Sequence, residues 1–112
     1  MNKLIIYIAG PYRGKNEYEV TRNVRRAEEA ALELWRKGWA VICPHKNTHG
    51  FNGYLPDSTW IEGDLEIIRR CDAICMIVGW EKSEGAQMEY QLAIELNVPI
   101  YYGTGTVPDG GL

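Results

Sequence analysis

Four short runs of the chain are apolar almost without interruption: "LIIYIA" from Leu4, "WAVIC" from Trp39, "AICMIV" from Ala73 and "VPIYY" from Val98. A strand with one face in water alternates apolar and polar side chains. Continuous runs belong to strands covered on both faces, as in parallel sheets. Stretches of helical period separate them. Between Glu17 and Lys37, the residues Val20, Val24, Ala27, Ala31, Leu34 and Trp35 share one face, and Gly38 follows as a helix-stopping glycine. A second helix is predicted from Ser58 to Cys71. A third, "SEGAQMEYQLAIEL", begins at Ser83, a residue type whose side-chain oxygen caps helix N-termini. This alternation predicts an α/β fold, a flavodoxin-like or Rossmann-like three-layer sandwich. Its sheet is mainly parallel, with four to five strands joined by right-handed crossovers. No repeat or linker divides the chain, so residues 1–112 are expected to form a single domain. The tail, "GTGTVPDGGL", reads as turns, loose or docked on a neighbour.

Two positions break the helical pattern. Side chains turn by about 100° per residue around a helix. In the third helix Gly85, Leu92, Ala93 and Leu96 therefore line one stripe, with Ala86 and Met88 at its margins. Glu84, Gln87, Gln91 and Glu95 lie opposite, yet Glu89 falls in the middle of the apolar stripe. The second helix repeats this: Asp64 sits among Trp60, Ile67, Ile68 and Cys71, while Glu62, Glu66 and Arg69 face away. A buried carboxylate is costly unless it is paired, hydrogen-bonded or protonated. A structural network with a local donor accounts for one such acid. Two at matching offsets, both near the carboxyl edge of the sheet where open α/β folds bind ligands, point instead to a reacting pair. Burial would raise the proton affinity of both, and their mutual repulsion would separate the two values.

Other groups gather at the same edge. "GPYRG" places Gly10, Tyr12, Arg13 and Gly14 at the turn after the first strand. Glycine lets a ligand approach the backbone, and an arginine can clamp a phosphate by two hydrogen bonds; a plain tight turn with a solvated arginine is the alternative. "PHKNTHGFNGYLPD" is long for a connection of this kind and reads as a pocket wall or lid, with His45 and Asn47 as hydrogen-bonding contacts. "GWEKSEGA" adds Trp80, Ser83 and Gly85, with Ser83 free to cap its helix, bind an anion, or do both. Trp60, Trp80, Tyr7, Tyr12 and Tyr54 could stack on a flat ring or simply fill the core. His45, His49 and Cys43 do not complete a ligand set, so no metal is expected.

Charge and composition narrow the partners. A net charge of −3 leaves no general basic surface for polymeric nucleic acid. No apolar run approaches the length of a membrane span, and "MNKLIIYIAG" reads as a first strand rather than a signal peptide. Three cysteines, an odd number in apolar surroundings, read as reduced thiols of a cytoplasmic protein.

The segments "YIAGPYRG" and "GDLEIIRRCDAICMIVGWEKSEGAQMEYQLA" together resemble the nucleoside 2-deoxyribosyltransferase superfamily. They are similar to its 2′-deoxynucleoside 5′-phosphate N-hydrolase branch, and to small stand-alone domains that carry "GW-E-x-S-x-G-A" before the helix. The resemblance runs from Leu4 to Tyr102. It implies cleavage of a nucleoside N-glycosidic bond, by hydrolysis or by transfer to a second base, with no cofactor. Residue by residue, it implies Glu89 as nucleophile, Asp64 as the acid beside it, Tyr7 as the strand-end tyrosine, and Arg13 and Ser83 as phosphate contacts. It also implies a homodimer or larger homo-oligomer, with a neighbour's residue completing the pocket; the tail after Tyr102 is the place to look for that residue. The chain departs from the hydrolase branch at Pro11, where a phosphate-binding serine is expected, and at Gln87, where a glycine is expected. Proline supplies neither a hydroxyl nor a backbone donor. The hydrolase branch also lacks a clear equivalent of "PHKNTHG". The rival reading from another class is a nucleotide-binding or sensing module that uses the same pocket without turnover. A flavodoxin-type electron carrier fits poorly, because that role needs no buried acid pair.

Overall fold

The computed structural model describes residues 3–110. Four strands, β1 (Ile5–Ala9), β2 (Ala40–Ile42), β3 (Ala73–Met76) and β4 (Ile100–Tyr102), form one sheet in the order β2-β1-β3-β4. Every pairing is parallel, and Tyr7 lies between Ile42 and Ile74. The α/β sandwich expected from sequence is therefore the observed fold, at the lower of the two strand counts. The strands are shorter than the apolar runs because Trp39, Ile77 and Val98 continue the apolar character into the connections.

Helix α1 (Glu17–Arg36) covers one face of the sheet, and α3 (Asp57–Ile68) with α4 (Glu84–Glu95) covers the other. Each starts for a local reason. The Asn16 side chain accepts from the Glu19 amide at 2.9 Å, capping α1, and the Ser83 hydroxyl accepts from Ala86 at 3.2 Å, capping α4. Helix α1 ends as predicted, with Gly38 at a φ of 96°, where a side chain would be strained. Two readings of the helical stripes need correction. Trp35 is 50% exposed, because Leu34 lies nearer the centre of the stripe and takes the place against the sheet. Leu96 is largely exposed because α4 ends at Glu95 and the chain turns away there.

Alternation along β1 divides the core into two clusters. Ile6 and Ile8 face α1, where they meet Ala27, Ala31 and Leu34. Tyr7 and Ala9 face the opposite layer and meet Ile68, Ala86, Leu92 and Ala93. This sends the Tyr7 hydroxyl toward the layer that holds both misplaced acids.

As far as residue 110 the tail is tied to its own chain. The Lys37 ammonium donates to the Thr104 and Val107 carbonyls at 2.8 and 2.7 Å. The Trp39 indole donates to the Pro108 carbonyl at 2.8 Å, and the Gly110 amide donates to the Lys37 carbonyl at 2.9 Å. Gly110 must be glycine, since a Cβ there would lie 2.5 Å from the Trp39 ring. The final two residues of the tail, and the first two of the expected first-strand segment, lie outside the described residues.

Candidate active site

The chain leaves β1 toward β2 and reaches β3 on the other side of β1, so the loops after β1 and β3 diverge above the sheet. Such a switch point is where ligands bind in this architecture. Here it opens into a crevice of about 1690 Å³, walled by the β1–α1 turn, the segment between β2 and α3, the α3 face and the start of α4.

Tyr7, fully buried, donates its hydroxyl hydrogen to Glu89 Oε2 at the crevice floor. Glu89 is raised to about 8, chiefly by desolvation; the Tyr7 hydrogen bond works against this and the Asp64 charge adds to it. Asp64 is raised to about 6 by burial. The Tyr7 hydroxyl is itself pushed well above its ordinary value, first by burial and then by the charges of Glu89 and Asp64. These three groups sense one another, and both acids line the crevice. Burial thus shifts both carboxyls toward their protonated forms, Glu89 further than Asp64.

The remaining expected contacts separate into two sets. Gly10, Tyr12, Arg13, Gly14, His45, Ser83 and Gly85 all line the crevice. Asn47 and Trp80 do not: Asn47 is exposed on α2 (Pro44–Asn47), a one-turn helix where a plain loop was expected. Trp80 packs against Tyr90 with ring centres 4.7 Å apart, and Tyr102 joins that cluster at 6.2 Å. The glycines of the β1 turn have a packing reason of their own. A Cβ on Gly10 would lie 2.3 Å from Ile77 Cγ1, and one on Gly14 would lie 2.5 Å from Glu19 Cβ. Arg13 is paired with Asp57 at 2.8 Å, with its side chain 74% exposed. Asp57 escaped the sequence reading: an acid in the first turn of a helix is common, and only folding brings it to an arginine so distant along the chain.

His45 is buried, with Nε2 3.0 Å from the Pro11 carbonyl and 3.2 Å from the Gly10 carbonyl. Both partners are acceptors, so Nε2 carries the hydrogen and Nδ1 is left with a lone pair. Desolvation lowers the His45 pKa, which keeps the ring neutral. Nδ1 is buried and has no partner. His49 instead meets the Tyr12 hydroxyl at 2.9 Å, tying the β2–α3 segment to the β1 turn. Among the described residues no three His, Cys, Asp or Glu side chains gather as metal ligands, and no helix is long and apolar enough to cross a membrane.

This parallel sandwich, with two acids and a tyrosine at its switch point, has the α/β fold of the solved 2-deoxyribosyltransferases. The chain is similar to the solved 2-deoxyribosyltransferase of the psychrotolerant bacterium Bacillus psychrosaccharolyticus, with 20% identity and a TM-score of 0.68, over 88% of this chain and 70% of that one. It is likewise similar to the 2-deoxyribosyltransferase from Leishmania mexicana, with 19% identity and a TM-score of 0.65, over 88% of this chain and 63% of that one. Residues 4–102 match the family described as a domain of unknown function, DUF4406, and the chain belongs to that family. No curated protein matches it.

Proposed function

We propose that the chain cleaves the N-glycosidic bond of a nucleoside or (2′-deoxy)nucleoside 5′-monophosphate, with Glu89 as nucleophile. The observation that carries this reading is the Tyr7–Glu89–Asp64 constellation: two acids raised to about 8 and about 6, with a tyrosine hydroxyl donated to one of them. The similarity to 2-deoxyribosyltransferase structures supports the choice of substrate. In the reactive form Glu89 is ionised and Asp64 holds the shared proton. A Glu89 oxygen lone pair bonds to C1′ while the C1′–N bond breaks. The bond's electron pair leaves with the base, and the Asp64 proton neutralises it. Water then attacks C1′ of the glycosyl ester, loses a proton to Asp64 and releases Glu89; a second base in place of water gives transfer. The oxocarbenium-like transition state is stabilised by the Glu89 carboxylate, while proton donation from Asp64 eases departure of the base.

One observation favours exchanged roles. In the resting site Glu89 holds its proton more tightly than Asp64, which suits Glu89 as acid and Asp64 as nucleophile. The Tyr7 hydrogen bond, which stabilises the Glu89 anion, favours the first assignment. Incubation with a panel of nucleosides and 5′-monophosphates, followed by detection of free base, tests the activity. Mass spectrometry of acid-quenched peptides then identifies the acid that carries the sugar. Base release with the sugar on the Glu89 peptide is the expected result. A sugar on Asp64 reverses the roles, and binding without product assigns the chain to the sensing class. The rate should rise and fall with pH through limbs near the two values, since both assignments need one proton on the pair.

The three cysteines are unpaired, and burial raises each thiol, which suits a reducing cytoplasm. Assembly into a homodimer or larger form is expected; a single 12.7 kDa species in light scattering would overturn it.

A further inference from the structure

Trp60 is the crevice residue whose state the acid pair does not explain. It lies one helical turn before Asp64, on the same side of α3, and it lines the crevice. Its indole Nε1 is buried and donates to nothing. An indole N–H removed from water ordinarily has an acceptor, so an unpaired one at a crevice wall calls for an explanation. The ring is also held in place. Phe51 packs on it at 5.8 Å between ring centres. Phe51 stands between Gly50 and Gly53, whose φ angles of 88° and 85° make the tight turns that carry the segment back over α3. The Phe51 amide donates to Thr48 and the Tyr54 amide to Phe51, each at 3.0 Å, which stiffens the turn. Asn52 from the same turn lines the crevice beside it.

We propose that Trp60 Nε1–H binds a substrate oxygen, the entering ligand opening the contact that buries this hydrogen in the resting site while Phe51 holds the indole plane. An uncharged N–H held by apolar packing selects a neutral acceptor, either a sugar hydroxyl or a base carbonyl, rather than a phosphate. Trp60 is then a specificity residue for the reaction proposed above, and the inference rests on that reading.

The test uses ligands that differ by one oxygen. 2′-Deoxyinosine is compared with purine 2′-deoxyriboside, which lacks the base carbonyl, and with 2′,3′-dideoxyinosine, which lacks the 3′-hydroxyl. 2′-Deoxyuridine, its 4-deoxy analogue and 2′,3′-dideoxyuridine form the pyrimidine set. Affinities are measured by calorimetry on Glu89→Gln protein, which prevents turnover, with and without Trp60→Phe. The expected result is a weakening of about tenfold by Trp60→Phe for the parent nucleoside, corresponding to one hydrogen bond. That weakening should vanish for the analogue lacking the oxygen concerned. Loss of the effect with the dideoxy ligand assigns the acceptor to the sugar; loss with the carbonyl-free ligand assigns it to the base. Equal affinity with and without Trp60→Phe overturns the proposal while leaving the nucleoside reading in place. Absence of binding by either protein overturns both. Should Trp60→Phe fail to fold, the indole N–H resonance of Glu89→Gln protein that shows cross-relaxation to Phe51, the sole phenylalanine, takes its place. It should move downfield on saturation with the parent nucleoside, and an unmoved resonance overturns the proposal.

Discussion

The two faces of the sheet are built from alternate residues of the same strands, yet they do different work. On the α1 face an apolar cluster fills the core: Ile6, Ile8, Ala27, Ala31 and Leu34 pack together, and the tail adds Val107 to it and ties down Trp39. On the α3–α4 face the packing is interrupted by a tyrosine and two acids that hold protons above their ordinary range. One face supplies burial that stabilises the fold. The other gives up part of that burial to keep a polar constellation in a poorly solvated place. Residues selected for chemistry are therefore expected to cost stability, and residues selected for packing to leave the chemistry alone.

The largest test of this contrast is Glu89→Gln. Base release should fall on the order of 10³-fold or more, as for loss of a nucleophile. The same change should stabilise the protein at alkaline pH. A carboxyl raised from 4.5 to about 8 by folding favours the native state while it is protonated. As pH climbs from 4.5 to about 8 the unfolded chain's carboxyl ionises while the native one stays protonated, so the native state becomes progressively less stable, by on the order of a few kcal/mol. Thermal melts should show the Gln variant above wild type at pH 9 and the gap closing toward pH 4.5; a gap that does not change with pH contradicts the assigned burial. On the opposite face, Leu34→Ala should cost about 2–5 kcal/mol in urea denaturation, since Leu34 is wholly buried against the sheet. Activity per folded molecule should be unchanged. A Leu34→Ala protein that is stable but inactive would erase the division between the faces.

Smaller effects sharpen the boundary. Tyr7→Phe keeps the ring in the core but removes the hydrogen bond to Glu89, and should lower the rate by about tenfold to a hundredfold. Because that bond lowers the Glu89 pKa, its loss should move the alkaline limb of the pH–rate profile upward. A limb that stays in place would detach Tyr7 from Glu89. Trp39→Phe, which frees the tail at the Pro108 carbonyl, should cost about 1 kcal/mol of stability and leave the rate alone.

Much of this molecule is written locally. Continuous apolar runs mark strands buried on both sides, and helical period with Ser83 and Gly38 at the ends marks the helices, because caps and periodicity act over a few residues. The misplaced positions of Glu89 and Asp64 are legible for the same reason: an amphipathic stripe is a local object, and an acid inside one stands out. What neighbouring residues could not determine was which distant groups meet. Tyr7 reaches Glu89 only because β1 alternation turns it toward α4, and Arg13 meets Asp57 only because α3 starts beside the β1 turn. Trp80 left the crevice for an aromatic cluster with Tyr90 and Tyr102. The tail, polar and rich in glycine, left loose ends or docking on a neighbour open and did not show that it would dock on its own chain, because its partners Lys37 and Trp39 lie far back in the sequence. Such pairings depend on the crossing of whole elements, and that crossing is decided by packing the complete core rather than by any short stretch of residues.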